Sequence, residues 1–118
     1  MADAIHLRLP LPPSANRYWR HVGKRVLLSR EAREYRDACR LAAVAQHGDD
    51  LLSERVRVRA DVYMDLRGDL ANREKQLMDA LEGAVIVDDA QVWDLRLVRH
   101  LDRESPRVEV TIESMEDA

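Results

Sequence analysis

Apolar and polar positions alternate along four stretches of this chain, and two others repeat at helical spacing. Ile5, Leu7, Leu9 and Leu11 fall on every second residue, the period of a strand with one buried face. Pro10, Pro12 and Pro13 end it, because proline cannot serve a central ladder. A loop from Pro12 to His21 follows, and Lys24 to Leu28 makes a short strand after Gly23. Val56, Val58, Ala60, Val62 and Met64 alternate strictly, with Arg55, Arg57, Arg59 and Asp61 on the opposite face. Val92 to Leu101, with Trp93, Leu95 and Leu97 in phase, and Val108, Val110 and Ile112 read as two more strands. The turn-like Arg103 to Pro106 between them predicts a hairpin. The acidic tail from Glu113 to Ala118 reads as frayed.

The first helical stretch starts after Ser29, an N-cap residue type, and runs to about His47, where Gly48 stops it. Tyr35, Ala38, Cys39, Ala42 and Ala45 share its apolar stripe, and Arg33, Arg36 and Arg40 lie opposite. That arginine row is either a solvated face, partly neutralised by Glu34 and Asp37, or a phosphate contact. Asp49 to Ser53 reads as a turn region. Asn72 is placed to cap a second helix running to about Gly83, with Leu77, Met78, Leu81 and Ala84 inward and Lys75, Asp79 and Glu82 outward. The order β, β, α, β, α, β, β predicts one α/β (α+β) domain over residues 1–118. Its expected form is a small mixed sheet of four to five strands with two main helices.

Composition narrows the class. No apolar run approaches the roughly 18–20 residues that span a bilayer, and no basic-then-apolar leader pattern opens the chain. The single Cys39 excludes an internal disulfide and a cysteine zinc cage, and reads as a small buried residue on a helix. A cytoplasmic, reducing compartment is therefore expected. A net charge of -3 argues against a nucleic-acid protein until it is divided. Residues 1–40 hold nine basic groups against four acidic, and the remainder ten against eighteen. A basic first third beside an acidic remainder suits a protein that grips phosphates with one part and gathers metal-binding carboxylates with another.

The carboxylates concentrate between Asp69 and Asp89. Asp69 closes a strand, Lys75 opens a helix, and Asp88-Asp89 precede the next strand, so these groups could meet beside neighbouring strands. Phosphodiester hydrolysis needs an activated water and neutralised charge on the leaving oxygen. A hard divalent cation held by carboxylates does both. The plainer reading makes Asp88-Asp89 a turn or cap and Lys75–Asp79 an ordinary i, i+4 surface pair. His6, His21, His47 and His100 show no ligand spacing and read as surface residues. No glycine-rich phosphate loop and no Ser/His/Asp arrangement is legible.

Several ordered blocks together carry a more specific signal. They are Pro12-Pro-Ser-x-Asn16-x-x-Trp19, Asp69-Leu-x-Asn72-x-x-Lys75, Leu77-x-Asp79-Ala-Leu81-x-Gly83 and Asp88-Asp89-x-Gln91-Val92. In these blocks the chain resembles the RusA-type Holliday junction resolvases, small crossover-junction endodeoxyribonucleases often carried by phages and prophages. The resemblance covers most of the chain. It implies a Mg²⁺-dependent homodimer, with Mn²⁺ able to substitute, that binds four-way DNA junctions and nicks two opposing strands symmetrically. It implies Asp69, Asp88 and Asp89 as metal-binding carboxylates, Lys75 as the catalytic or phosphate-contacting lysine, and Asn72 and Asp79 in support. It further implies that Asn16, Arg17, Trp19, Arg20, His21, Lys24 and Arg25 contact DNA.

The departure is Ala71, which stands where the family pattern Asp-Leu-Asp-Asn has a second metal-binding aspartate. A methyl group cannot coordinate Mg²⁺, and Asp65 lies too far back along the strand to replace the missing carboxylate. Strongly reduced cleavage with retained junction binding is expected. A non-catalytic junction-binding module with a vestigial metal site is the alternative. A dimeric interaction protein with a purely structural acidic cluster is the third reading.

Overall fold

The computed structural model describes residues 4–115. Six strands and three helices follow in order: β1 (Ile5–Leu9), α1 (Ala15–Tyr18), β2 (Trp19–Val22), β3 (Arg25–Leu28), α2 (Arg30–Gln46), β4 (Val56–Met64), α3 (Glu74–Leu81), β5 (Val92–Leu101) and β6 (Arg107–Ser114). The fold is mixed α+β, as the sequence predicts. Its four-stranded sheet runs β1-β6-β4-β5, and β2 and β3 form a separate two-stranded ribbon.

The alternating residues do what their period requires. Val58, Ala60 and Val62 of β4 stand opposite Ile112, Val110 and Val108 of β6, and Leu7 and Leu9 of β1 extend the same apolar face. Helices α2 and α3 cover it with Tyr35, Cys39, Leu77, Met78 and Leu81. Burying each such large side chain contributes roughly 1.5–3 kcal/mol, which makes this face the main source of stability. Ser29 caps α2 as expected, its Oγ accepting from Ala32 N at 3.0 Å.

The predicted hairpin between the last two strands does not form. β5 pairs parallel with β4, reached by the crossover that contains α3, and β6 lies antiparallel on the other edge of β4. The turn at residues 102–106 crosses the end of β4, where Asp102 N donates to Met64 O at 3.0 Å. Alternation reports which face a strand buries, and is silent on which neighbour takes its hydrogen bonds. Nor does the tail fray from Glu113. Glu113 and Ser114 pair with β4 and Met115 N donates to Arg55 O, while residues 116–118 lie outside those described.

Smaller corrections follow the same logic. The α2 stripe is Ala32, Tyr35, Cys39 and Ala43, with Ala42 half-buried and Ala38 and Ala45 exposed at its flanks. The segment expected to be loop through His21 holds α1 and β2, and Gly23 at φ +61° turns β2 into β3. That φ and the two-residue link suit a type II′ turn, whose first central position glycine fills without steric cost. Asn72 does not cap α3: Arg73 stands at the cap position, with no side-chain cap hydrogen bond, and a short 3-10 turn over Ala71–Arg73 leads into the helix. Asp69 Oδ1 accepts from Ala71 N at 3.1 Å ahead of that turn.

The sheet's other face, uncovered by helices, carries the charges. His100 is not an idle surface residue: its Nε2 lies 2.8 Å from Asp61 Oδ1 and its ring stacks on Tyr63 at 4.6 Å. Hydrogen bonds from Arg59, and then the one with His100, hold the Asp61 carboxyl below the usual carboxylate range. A depressed folded-state pKa stabilises the fold above the unfolded value and is lost as pH falls through the folded one. The urea midpoint of the parent should therefore exceed that of Asp61→Asn at neutral pH, and the gap should close below about pH 4. A gap that persists undiminished into stronger acid would contradict this.

Candidate active site

Two short turns flank α3 and line one cavity beside the first half of β5, because α3 carries the chain back along the parallel β4–β5 pair. The 3-10 turn at Ala71–Arg73 brings the chain from β4 into α3, and a second such turn at Asp89–Gln91 brings it from α3 into β5. Asp88 caps the second turn, its Oδ1 accepting from Ala90 N at 2.9 Å. Gln91 completes a capping box by accepting from Asp88 N at 2.8 Å, and its amide donates to Leu52 O and Glu54 O. The spacing Asp88-Asp89-x-Gln91 thus has a structural cause: it locks the carboxylate-bearing turn to the segment before β4.

Lys75, exposed in the first turn of α3, has the anionic partners that its position near a helix start requires. Its Nζ lies 3.1 Å from Asp79 Oδ1 and 3.7 Å from Asp89 Oδ2. The Asp79 hydrogen bond, followed by the charges of Asp79 and Asp89, holds the ammonium above the usual lysine range. It is therefore a permanent cation at neutral pH, fitted to bind an anion. Asp79 also accepts from Tyr18 Oη at 3.1 Å, so its two oxygens serve two partners.

An open cavity of about 460 Å³ is lined by Ala71, Glu74, Lys75, Met78, Asp89, Val92 and Leu95. Position 71 thus shares one wall system with Lys75 and Asp89. Glu82, Asp88 and Asp89 each place an oxygen within 4.8 Å of the others, a hard donor set that fits a divalent cation. Glu82 Oε1 accepts from Asp89 N at 3.0 Å, which ties the helix end to the turn. Asp69 is not in this group; its carboxylate is engaged with the backbone of Ala71.

The structure thus brings Lys75, Asp79, Asp88, Asp89 and position 71 together, while Asp69 and Asn72 adjoin position 71 in the chain and neither lines the cavity. Glu74 and Glu82 belong to the same neighbourhood and were missed as ligand candidates. Glu74 lies one residue before Lys75 at the start of α3, whereas Glu82 follows the helix end in extended backbone, so helical spacing carried no signal for it.

The seven residues expected to contact DNA form one body. Asn16 and Arg17 lie on α1, Trp19, Arg20 and His21 on β2, and Lys24 and Arg25 at the turn and start of β3. All seven are exposed. Arg17 pairs with Glu31 at 3.2 Å, whereas Arg20, Lys24 and Arg25 have no ion pair among the described residues. The arm's root is pinned near the cavity, because Arg73 Nη1 donates to Pro12 O and Gln76 Nε2 to Pro13 O.

Known proteins resemble this chain over nearly its whole length. The family described as endodeoxyribonuclease RusA matches residues 10–113. A crossover junction endodeoxyribonuclease of Enterobacteria phage 82 is 39% identical over 116 residues, covering 96% of this chain and 97% of that protein. The RusA crossover junction endodeoxyribonuclease of Escherichia coli K12 is 39% identical over 118 residues, with the same coverage of both chains. That of Shigella sonnei is 38% identical over 116 residues, covering 96% and 97%. With a match across nearly its whole length, the chain belongs to the RusA endodeoxyribonuclease family.

Proposed function

We propose that this chain, as a single domain over residues 1–118, is a divalent-metal-dependent endodeoxyribonuclease for four-way DNA junctions. In our reading Ala71 weakens the cleavage step far more than binding. The observation that carries the proposal is the cavity shared by position 71, Lys75 and Asp89, in a chain whose curated relatives are named crossover junction endodeoxyribonucleases. Glu82, Asp88 and Asp89 would hold the cation. Mg²⁺ is the natural ion and Mn²⁺ a substitute. When bound, such an ion lowers the pKa of a water and neutralises charge on the leaving oxygen.

The chain's own groups supply the rest. Lys75, held charged by Asp79 and Asp89, binds a phosphate oxygen and does not act as a base. Asp79 orients it, and Asn72 and Asp69 build the turn that presents position 71. The β2–β3 ribbon grips the DNA backbone with Arg20, Lys24 and Arg25, assisted by Asn16, Arg17, Trp19 and His21. A homodimer would align two such sites with the two-fold symmetry of the junction and make paired nicks. A cytoplasmic location fits a DNA substrate, and no helix among the described residues is long and apolar enough to cross a membrane.

A second reading, a junction binder with a vestigial metal site, is favoured by one observation. Asp88 is already committed to a cap and Asp89 to Lys75, as they would be in a site kept for structure alone. Both readings require junction-selective binding. In a gel-shift without metal, the chain should retard a four-way junction at concentrations that leave linear duplex of equal length free. Equal binding to both, or binding to neither, would overturn the junction assignment and leave the interaction-protein reading.

A further inference from the structure

Between the DNA-gripping ribbon and the active-site lysine stands a residue that the sequence singled out for nothing. Tyr18 closes α1 and directly precedes β2, so it is the foot of the ribbon. Its carbonyl accepts from Ser29 N at 2.9 Å across the ribbon's base, and its ring meets Trp19 edge-on at 5.1 Å. The residue is completely buried, at 0% exposure. A buried phenol hydroxyl needs a partner. Here the partner is the Asp79 carboxylate, at 3.1 Å, on the helix that carries Lys75.

That carboxylate is used on both sides. Oδ2 accepts from Tyr18 and Oδ1 faces Lys75 Nζ at 3.1 Å, while Nζ reaches Asp89 Oδ2 at 3.7 Å. The terminal torsion of an aspartate is broad and two-fold, so a carboxylate held at one oxygen alone can swing. A bond at the second oxygen removes that freedom. Burial, and then the charge of Asp79, raise the Tyr18 phenol well above its ordinary range, which keeps the hydroxyl a donor.

We propose that Tyr18 is a positioning residue: its hydroxyl fixes the Asp79 carboxylate, which in turn holds Lys75 Nζ toward Asp89, so the foot of the ribbon sets the geometry of the phosphate-binding lysine. This rests on the reading of Lys75 as the lysine of the site. The arrangement joins the two halves of the proposed machinery, because the ribbon begins one position after the residue that orients Asp79.

The chain has only two lysines, Lys24 and Lys75, and this makes the test clean. Lys24 sits at the ribbon turn without an ion pair among the described residues, whereas Lys75 is held. Lysine-selective ¹³C labelling then gives two ε-methylene signals, a free one and a restrained one. In Tyr18→Phe the Lys75 signal should move toward the shift and the mobility of Lys24, while Lys24 itself stays put. Asp79→Asn should move Lys75 in the same sense. The double variant should go no further than Asp79→Asn, since the hydroxyl acts through that carboxylate.

A Lys75 signal unmoved by Tyr18→Phe but moved by Asp79→Asn would overturn the proposal. So would equal movement of both lysines, which marks general loosening. None of this needs metal, DNA or cleavage, so its failure is separate from failure of the nuclease reading. In the Ala71→Asp background, Tyr18→Phe should also slow single-turnover nicking on the order of ten- to a hundredfold, as a small misplacement of a reacting group does, at unchanged junction affinity. Weaker affinity with an unchanged rate would count against it. If that background does not nick, the nuclease reading falls, and the lysine signals still decide the role of Tyr18.

Discussion

The Ala71→Asp variant is expected to nick four-way junctions in Mg²⁺ at least on the order of a hundredfold faster than the parent. The figure follows from the several kcal/mol that a well-held metal ion contributes to an incipient charge, at about 1.4 kcal/mol per tenfold. The site is otherwise ready. Position 71 lines the same cavity as Asp89 and Lys75, and it is exposed, so a carboxylate enters without displacing the core. The backbone there is already set by Asp69, whose side chain accepts from the position-71 amide.

A second readout separates ligation from chemistry. Another carboxylate near Asp69 and Asp89 adds repulsion that a divalent ion relieves. Added Mg²⁺ should therefore raise the melting temperature of Ala71→Asp by more than it raises that of the parent. No gain in nicking would argue that the site is vestigial. A gain in nicking without a larger melting shift would place the new carboxylate outside the metal's reach.

What the sequence disclosed, and what it hid, divides along physical lines. The β4 alternation was legible because period-2 burial is a local property, and Val58, Ala60 and Val62 point inward as read. The partnership of β5 was not, because turn residues at 103–106 fit a crossover over the end of β4 as well as a hairpin. The acids Asp69, Asp88 and Asp89 were visible as charges, yet their local duties were not. Asn72 does not cap the helix it was expected to cap, while Asp69 bonds the Ala71 amide and Asp88 caps the turn before β5, because a short polar side chain bonds whichever amide the backbone presents. Glu82 joins the cluster only because α3 ends at Leu81 and turns the Glu82 carboxylate toward Asp89 N. Tyr18 left no trace at all: nothing in its neighbours tells a buried foot from an exposed loop residue.

Neutralising the ribbon should cost nearly as much in binding as restoring the carboxylate gains in cleavage. The triple variant Arg20→Ala, Lys24→Ala, Arg25→Ala is expected to bind a four-way junction on the order of a hundredfold more weakly at low salt. Charge-assisted hydrogen bonds contribute about 1.5–3 kcal/mol each, and screening at these exposed positions takes part of it back. Residues 19–28 contain no acidic group, and the three cations have no ion pair among the described residues to release before they meet a phosphate. Removing one phosphate-binding cation should flatten the plot of log affinity against log salt by about one, so the triple variant should be shallower by about three. An isolated two-stranded ribbon is marginal by itself, and both faces of this one are exposed, so the main core should melt almost as in the parent. If affinity falls while the salt slope stays the same, the ribbon meets something other than phosphates. Its exposed Trp19, Val22 and Val26 would then point to a second copy of the chain as the surface it seeks. If neither changes, the DNA backbone is gripped elsewhere, and the arginine row of Arg33, Arg36 and Arg40 on α2 becomes the next place to neutralise.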